Sequence, residues 1–297
     1  MSGTAVADTP PVSAVRDFVS LTKPRIISLL LVTTIAPMYV AGTPGWLDVV
    51  LVSLGGYLMA GGANAVNMYM DRDIDDVMAR TRLRPIPSGR MAPVAVLAFG
   101  VALAVFATWL LGRFINVLTA ALALGGFYFY VFIYTRWLKR TSPQNIVIGG
   151  AAGAFPPLVG WAAVTGSVDL LALYLFLIVF YWTPPHFWAL ALLKQKDYGK
   201  AGVPMAPLLW GERETMNQML WYTLILLALS ILPVAFGAFG PLYLASATVL
   251  GALLLHGVLR IRREAIWTKA AWWTYKYSLL YLALLFVAMV ADRQLGG

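Results

Sequence analysis

Three oxygen-bearing side chains recur at every fourth position where a long apolar segment meets a polar loop. Asn67, Asp71 and Asp75 have this spacing, and an α-helix would place them on a single face. Four aspartates lie within residues 71–76, although one aspartate at the centre of a membrane helix costs about 2.5 to 3.5 kcal/mol. A cation must compensate them. Mg²⁺ suits this donor set, because it usually takes one or two carboxylates and completes its coordination with water and substrate phosphate.

Basic side chains and a hydroxyl follow the aspartates along the same loop. Arg80, Thr81 and Arg84 are candidates for binding phosphate oxygens, because guanidinium groups present paired donors in a fixed geometry. Acids followed by bases predict a site for a diphosphate and its metal ion. The alternative is a hydrated loop whose acids pair with its own arginines, but such a loop would not need the four-residue spacing. Asp73 and Asp76 lie off the common face, so we assign the metal to the other two acids.

A second polar loop, residues 194–204, carries further candidates. Asp197 could help to bind a second metal ion, and Lys194 and Tyr198 could face a diphosphate. The alternative is an ordinary basic loop at a membrane surface, which would have a similar composition. Both interpretations remain open at the level of the sequence.

Two basic residues flank Pro24 just before the first apolar segment. Lys23 and Arg25 could reach the same anion as the loop arginines. They could equally anchor the chain, because long basic side chains extend to the membrane surface from helix ends. The sequence does not separate these two roles.

His186 follows Pro184 and Pro185 inside a long apolar segment. The two prolines should break or kink the helix and free backbone carbonyls. Imidazole within a membrane segment is a functional candidate, so His186 could bind the iron or a polar group of an acceptor molecule. Alternatively, a freed carbonyl could satisfy it. Asn145 and Trp188 are further candidates for contacts with the same acceptor.

The composition indicates an integral membrane protein. The 297 residues are 60% hydrophobic and 12% charged, with a mean hydropathy of +0.76, whereas soluble domains contain about 25% charged residues. Cysteine is absent, which excludes disulfides, thiolate catalysis and zinc sites with cysteine ligands. The net charge of +9 does not indicate nucleic-acid binding, because the basic residues lie in short gaps between apolar segments.

Nine apolar segments are long enough to cross a bilayer, which takes about 20 helical residues. They predict an all-α integral membrane bundle of nine transmembrane helices around a central cavity that opens to the cytoplasmic side. Residues 1–22 are polar and lack the apolar core of a signal peptide. We therefore expect a flexible cytoplasmic N-terminal tail at 1–22 and a single membrane domain at 23–297. The predicted spans are 26–43, 46–70, 92–111, 114–134, 144–165, 169–193, 217–238, 241–259 and 272–291.

The distribution of basic residues orients this bundle. Basic side chains cluster before the first span and after the second, fourth, sixth and eighth, whereas the opposite loops contain almost none except Arg113. The positive-inside rule therefore puts the N-terminus in the cytoplasm and the C-terminus outside. It also puts loops 71–91 and 194–215 on the cytoplasmic face, where they could grip a charged ligand with an apolar tail. We expect a multi-pass protein of the cell inner (cytoplasmic) membrane with its active site facing the cytoplasm.

Several segments together resemble the UbiA-type intramembrane prenyltransferases, and more narrowly the branch of that family that modifies heme. The spacing of Asn67, Asp71 and Asp75 is similar to the first signature of the family. The strings around His186 and from 145 to 161 point to the heme branch. The resemblance is carried by Leu21–Ile26, Asp71–Asp75 with Arg80–Pro85, Tyr134–Arg140, Asn145–Pro157, and Trp182–Trp188 with Asp197–Met205.

The resemblance implies a membrane enzyme that uses Mg²⁺ and transfers a farnesyl group from farnesyl diphosphate to a vinyl group of heme b. Water is added in the same reaction, which gives heme O. The family also suggests a link to heme A synthase or to the assembly of a terminal oxidase. Lys194 stands where most of the family has the first acid of a second paired-aspartate signature. A second metal bound only by carboxylates is therefore not expected.

Three alternatives stay open. The same chemistry could act on another aromatic or tetrapyrrole acceptor, such as a quinone precursor or a chlorophyll-type ring. An enzyme of CDP-alcohol lipid synthesis also places aspartates at the end of a membrane helix, but its usual Asp-Gly opening is absent here. A transporter would usually place ionisable groups near the bilayer midplane, whereas these acids gather at one end of a span.

Overall fold

The computed structural model describes residues 14–296, and all regular secondary structure in that range is helical. Nine of the described helices are long and apolar enough to cross a membrane, which confirms the predicted number of spans. Helices of this kind satisfy every backbone hydrogen bond internally, as the bilayer interior requires. Spans 1 to 9 are Pro24–Ala41, Trp46–Met70, Pro93–Phe114, Val117–Thr141, Asn145–Thr165, Leu170–Leu193, Glu212–Ala235, Pro241–Arg263 and Thr268–Leu295.

Several helices extend beyond the predicted boundaries at their polar ends. Span 4 continues to Thr141 instead of 134, span 7 begins at Glu212 instead of 217, and span 9 covers Thr268–Leu295 instead of 272–291. Hydropathy reports only the part of a helix that crosses the apolar core of the bilayer. Backbone hydrogen bonding continues past that limit, so the helices carry polar residues out to the loops.

The N-terminal tail predicted for 1–22 is helical where the structure describes it. Ala14–Thr22 forms a short helix, and its Asp17 is buried in an ion pair with Arg90 at 3.0 Å. The Phe18 ring also contacts Phe99 of span 3 at a centroid distance of 4.9 Å. These tertiary contacts order a segment whose polarity alone suggested an irregular one. Residues 1–13 of the predicted tail lie outside the described residues.

Each span packs against the next one in the sequence, and span 9 returns to span 1 to close a ring. Span 1 also packs against span 5, and span 6 against span 9, so contacts between spans that are not consecutive cross the interior of the ring. Helix contacts in a membrane depend on close van der Waals packing more than on exclusion of water. Small residues permit that approach. A Cβ atom at Gly62 would lie 2.6 Å from the Gly100 carbonyl oxygen, and one at Gly160 only 1.8 Å from that of Thr34.

The two polar loops share one hydrophobic cluster at the end of the bundle. Ile74 and Met78 from the first loop are buried in the same cluster as Val203 and Met205 from the second. Short helices, Arg72–Val77, Gln195–Lys200 and Ala206–Leu209, connect this cluster to the spans. The loops after spans 2 and 6 therefore meet at one end of the bundle, although at least 125 residues separate their cluster members along the chain, counted from Met78 to Val203.

Candidate active site

Asn67, Asp71 and Asp75 are buried at one end of the bundle, with exposures of 5%, 1% and 2%. The Asp71 amide donates to the Asn67 carbonyl at 2.9 Å, and the Asp75 amide to the Asp71 carbonyl at 2.8 Å. The helical hydrogen-bond pattern therefore continues through the end of span 2. Asp73 and Asp76, which lie off this face, are exposed. The structure thus separates the two inward-facing acids from the other two, as the four-residue spacing predicted.

Asp71 is surrounded by groups from span 2 and span 4. Asn67 Nδ2 donates to its Oδ2 at 2.7 Å, and the Lys139 ammonium forms an ion pair with the same oxygen. The other oxygen, Oδ1, is buried without a hydrogen bond and has only Arg140 nearby, at 3.7 Å. One oxygen of a buried carboxylate is therefore left with spare capacity to accept a ligand.

Asp75 is bound by its own loop. Nη1 of Arg84 donates to both carboxylate oxygens, at 2.8 and 2.6 Å. Thr81 is also buried, and its hydroxyl donates to the Asp75 backbone carbonyl at 3.0 Å. This pairing is the one that the alternative interpretation of the loop anticipated. It covers only Asp75, however, because the cation at Asp71 comes from span 4.

Lys23 turns inward and Arg25 turns outward. Lys23 has φ of +54°, and it is the only non-glycine residue with positive φ among residues 14–296. This left-handed conformation costs about 1 to 2 kcal/mol for an L-residue. It precedes span 1, and the Lys23 ammonium donates to Asn64 Oδ1 and Asn67 Oδ1 at 3.2 and 3.3 Å. Arg25 is exposed, so only one of the two predicted basic residues reaches the site.

Positive charge is in excess around the two buried carboxylates. Burial lowers the pKa of Lys23 from 10.5 to about 7, and the charges of Arg84 and Lys139 act in the same direction. Asp75 and Asp71 oppose this shift but do not offset it. A lysine whose ammonium form is disfavoured by neighbouring cations marks a site that an anion would stabilise.

The π-helix Phe129–Leu138 in the middle of span 4 places two groups against span 2. The Thr135 hydroxyl donates to the Tyr130 carbonyl five residues earlier, at 2.8 Å, and accepts from Asn67 Nδ2 at 3.1 Å. Lys139 follows directly after the π-helix. π-Helical turns are rare and frequently occur at functional sites. Here the altered helical repeat brings a hydroxyl and an ammonium to the same buried amide and carboxylate.

Arg140 lies at the edge of the site and connects the ends of spans 4 and 2. Its guanidinium donates to both oxygens of Asp73, at 2.7 and 2.8 Å, and to the Met70 carbonyl at 2.8 Å. Hydrogen bonding from Arg140 lowers the pKa of Asp73 to about 2. Because the Asp73 side chain is 60% exposed, this surface pair contributes little to stability. It fixes the end of span 4 against the end of span 2.

Tyr198 connects the second loop to the first. Burial raises the pKa of the Tyr198 hydroxyl, and the charges of Arg80 and Arg84 oppose that shift. The tyrosine is therefore close enough to sense the basic side chains of the first loop, although Arg80 itself is exposed. Tyr198, Arg80 and Arg84 therefore lie in one region of the structure. Their role in binding a diphosphate stays a prediction.

The other two candidates from the second loop lie differently. The Lys194 ammonium is 5.6 Å from the centre of the Trp272 ring in a cation–π contact with span 9. Asp197 is half-buried and has no ion-pair partner among residues 14–296. Neither side chain contacts the Asp71 carboxylate. The second loop therefore contributes fewer contacts to the site than the first loop does.

His186 is held between two aromatic rings inside the bundle. Trp182 stacks on its imidazole at 4.4 Å and 16°, and Tyr275 of span 9 at 4.8 Å and 22°. Its Nδ1 lies 2.7 Å from the Ser278 hydroxyl. Span 6 is one continuous helix across both prolines, so the expected break is absent. The hydrogen bond of His186 crosses to span 9, and no carbonyl freed by the prolines supplies it.

Asn145 and Trp188 occupy the core and not an open surface. Asn145 is fully buried, and its Nδ2 donates to the carbonyls of Ser142 at 2.7 Å and Pro204 at 3.2 Å. Trp188 has 0% exposure and packs edge-on against Trp210 and other rings. Neither side chain has accessible surface for an acceptor in this structure, although Asn145 Oδ1 and Trp188 Nε1 are both buried without a hydrogen bond. Their assignment as acceptor contacts stays a prediction. Asn145 ties span 5 to the second loop.

Several residues of the site were not predicted from the sequence. Thr135, Lys139 and Arg140 lie in the segment Tyr134–Arg140 that contributes to the family resemblance, but the sequence assigned none of them a role in the site. Their roles depend on the packing of span 4 against span 2. Ser278 and Tyr275 lie in an apolar segment that offered no motif. For Lys139, a basic pair directly after a predicted span would have been a usable hint.

The described residues do not form a complete metal site by themselves. Among residues 14–296, no group of three or more His, Cys, Asp or Glu side chains is arranged to bind a metal ion. The available donors are two carboxylates and the amide oxygen of Asn67. Any hard cation here would therefore need oxygens from a ligand, which is the usual way in which Mg²⁺ binds.

The fold and the site together define a class of helical membrane proteins with carboxylates and basic side chains gathered at one end of the bundle. The sequence profile of the UbiA prenyltransferase family matches residues 29–287. The chain belongs to this family, and with its nine apolar helices it is a multi-pass membrane protein.

Relatives named protoheme IX farnesyltransferase are similar to nearly the whole chain. The one from Roseiflexus sp. (strain RS-1) is 58% identical over 295 residues, covering 99% of this chain and 55% of the relative. The one from Symbiobacterium thermophilum is 52% identical over 281 residues and covers 94% of both. The chain spans about half the length of several of these curated relatives. It covers 55% and 53% of the relatives from two Roseiflexus strains and 49% of the relative from Chloroflexus aurantiacus.

Solved structures share the fold at low sequence identity. A digeranylgeranylglyceryl phosphate synthase superimposes with a TM-score of 0.77 at 19% identity, covering 94% of this chain and 98% of that one. A UbiA homologue from Archaeoglobus fulgidus, bound to DMAPP and Mg²⁺, gives 0.64 at 16% identity, with coverage of 92% and 99%. At this identity the comparison establishes the helical architecture and not the substrate.

Proposed function

We propose that this chain transfers the farnesyl group of farnesyl diphosphate to a vinyl group of heme b. Water adds at the same time, and the products are heme O and diphosphate. The names of the relatives that match the chain over nearly all its residues support this proposal. The observation that carries it is the buried face of Asn67, Asp71 and Asp75, surrounded by cations at the end of an apolar bundle.

The donor set fits Mg²⁺. Asp71 Oδ1 is buried without a hydrogen bond, and the Asn67 amide oxygen lies on the same face. We assign Asn67, Asp71 and Asp75 as the residues that would bind the ion, with Asp197 as a further candidate from the second loop. The Archaeoglobus homologue binds Mg²⁺ together with a prenyl diphosphate, which is consistent with this donor set. When bound, the ion would offset the negative charge of the diphosphate.

The basic side chains stabilise the leaving group. Lys23, Lys139 and Arg84 already surround the two carboxylates, and their excess positive charge suits the negative charge that grows on the departing diphosphate. Groups fixed in place beforehand stabilise such charge without reorganisation. We also assign Arg80, Thr81 and Tyr198 to the proposed diphosphate site. Lys194, which contacts Trp272, and the exposed Arg25 would have to change conformation to reach the diphosphate.

The apolar interior protects the reaction from water. A Cβ atom added at Gly153 of span 5 would meet no heavy atom within 4 Å, whereas Gly160, two turns along the same face, packs tightly on Thr34. We propose that this open space beside Gly153 receives the farnesyl chain or the flat acceptor. A low-dielectric enclosure strengthens the interactions of the charged groups and excludes water from the reactive carbon.

We propose that the acceptor lies beside His186, because its ring is fixed within the bundle and the second loop lies above it. From the distribution of basic residues among the loops, we further propose that the site faces the cytoplasm at the inner membrane, with the N-terminus inside and residues 23–297 forming one domain. Heme b and farnesyl diphosphate are the proposed substrates, and the bilayer surrounds the spans. A link to heme A synthase or a terminal oxidase is a proposal that rests on the family alone.

Heme extraction from a host that lacks this activity tests the proposal. Expression of the chain should produce heme O, detected by mass spectrometry. The Asp71→Asn variant should insert into the membrane to the same level and produce none, whereas Asp76→Asn, at an exposed aspartate outside the site, should remain active. Labelled farnesyl diphosphate offered with a quinone precursor or a chlorophyll-type ring provides the comparison. Prenylation of one of those acceptors in place of heme would refute the proposed substrate.

A further inference from the structure

Ser278 of span 9 connects the groups around His186. Its hydroxyl lies 2.7 Å from His186 Nδ1, and its backbone carbonyl accepts from Trp182 Nε1 at 2.8 Å. The same hydroxyl reaches the Tyr275 carbonyl at 2.8 Å. Ser278 is fully buried. One residue therefore fixes both the imidazole and one of the two rings that sandwich it.

The position of the hydroxyl proton determines the tautomer of the histidine. A serine hydroxyl has one proton, and a backbone carbonyl can only accept. Both contacts of the hydroxyl are satisfied together when Ser278 donates to the Tyr275 carbonyl and its oxygen accepts from His186. Nδ1 of His186 then carries the proton, and a neutral imidazole has no proton left for Nε2. The lone pair of Nε2 is therefore free.

Nε2 of His186 retains some accessible surface, although the residue as a whole is only 5% exposed. It makes no hydrogen bond within residues 14–296, and it is not enclosed, since the buried polar atoms without partners do not include it. Trp182 and Tyr275 stack on opposite sides of the imidazole and prevent its rotation. A neutral nitrogen base of this kind, oriented by a partner on its other nitrogen, is the usual form of a histidine that binds a metal.

We propose that Ser278 is a positioning residue that fixes His186 as the Nδ1–H tautomer and thereby presents Nε2 to the iron of the tetrapyrrole acceptor. This inference rests on the proposed function and adds how the acceptor is oriented. Donation from Nδ1 to an oxygen makes Nε2 a stronger ligand, and loss of such a partner typically weakens metal affinity about 10- to 100-fold.

The tautomer can be measured without any ligand. The chain has two histidines, and His256 is exposed on span 8, so His256→Gln leaves His186 as the only histidine signal. In protein labelled with ¹⁵N-histidine, NMR should show a protonated Nδ1 and an unprotonated Nε2 at neutral pH. A protonated Nε2 would overturn the inference. This measurement leaves Ser278 unchanged, so it does not depend on the folding of a variant at that position.

Hemin titration tests the consequence for binding. We expect Ser278→Ala to weaken binding of hemin about 10- to 100-fold and to change its Soret spectrum, while binding of metal-free protoporphyrin IX stays the same. Ser278→Thr keeps the hydroxyl and should restore the spectrum. Ser246→Ala is the matched control, because that hydroxyl bonds only to Leu242 of its own helix. Equal weakening for hemin and protoporphyrin IX, or no weakening for hemin, would overturn the inference.

The outcomes separate this inference from the proposed function. If the unaltered protein makes no heme O, the proposed function fails. If it makes heme O while Ser278→Ala and His186→Ala both bind hemin with the wild-type spectrum and affinity, only the role of Ser278 and His186 fails.

Discussion

Replacing Lys139 by methionine should destabilise the protein strongly, because it leaves a buried carboxylate without its cation. Asp71 is 1% exposed and Lys139 15% exposed. Removing one partner of a buried ion pair costs about 3 to 5 kcal/mol. The hydrogen bond from Asn67 at 2.7 Å and Arg140 at 3.7 Å remain and offset part of this loss. We therefore expect a decrease of about 2 to 4 kcal/mol in the free energy of unfolding.

The assay is thermal or denaturant unfolding of the purified protein in one detergent, with two comparison variants. Glu264→Gln breaks the Arg260–Glu264 pair, whose side chains are 34% to 42% exposed, and should cost less than about 1 kcal/mol. The double variant Lys139→Met with Asp71→Asn removes both buried charges. It should recover most of the stability and still lack activity, because the proposed metal ligand is gone.

A Lys139→Met variant that is no less stable than Glu264→Gln would contradict the predicted loss of stability. So would a double variant that is as unstable as Lys139→Met alone, since the uncompensated charge is the stated cause. Normal heme O formation by the double variant would contradict the assignment of Asp71 to the metal site.

Three further predictions concern the same site. Thr135→Val removes the hydroxyl that accepts from Asn67. It should lower kcat about 5-fold at unchanged protein yield, since one buried hydrogen bond is worth about 1 kcal/mol. A wild-type kcat would contradict the role of the π-helix. Chelation of divalent ions should stop turnover, and added Mg²⁺ should restore it; turnover that persists in excess chelator would contradict the metal requirement. Because folding lowers the pKa of Lys23 from 10.5 to about 7, the folded state binds fewer protons than the unfolded state between these values, so stability should rise with pH across that interval. Lys23→Met should flatten this part of the unfolding profile, and an unchanged slope would contradict the pKa.

The nine spans could be predicted from the sequence because each span is a local property. Length and apolarity decide whether a helix can cross a membrane, and neighbours in space add little to that decision. The inward face of Asn67, Asp71 and Asp75 could be predicted equally well. Helical periodicity alone separates these residues from the exposed Asp73 and Asp76. The helix Ala14–Thr22 was missed because its order depends on a tertiary contact between Asp17 and Arg90.

The partners of the site residues could not be predicted in the same way. Lys139 reaches Asp71 across 68 residues of chain, and Ser278 reaches His186 across 92. Lys23 and Arg25 have nearly the same local sequence context, yet a left-handed backbone turns one inward and leaves the other exposed. Such differences in side-chain direction depend on shifts of a few ångströms in the positions of the packed helices. No local sequence pattern encodes those shifts.

The sequence by itself therefore determined that the chain is a membrane bundle with acids and bases gathered at one end. Charge and hydrophobic periodicity are local properties that can be read directly from the order of the residues. Only the tertiary structure decided which cation neutralises which carboxylate, and which nitrogen of His186 remains free. Ion pairs and hydrogen bonds act over about 3 Å, and the positions of two helices relative to each other are fixed only when the whole bundle has packed.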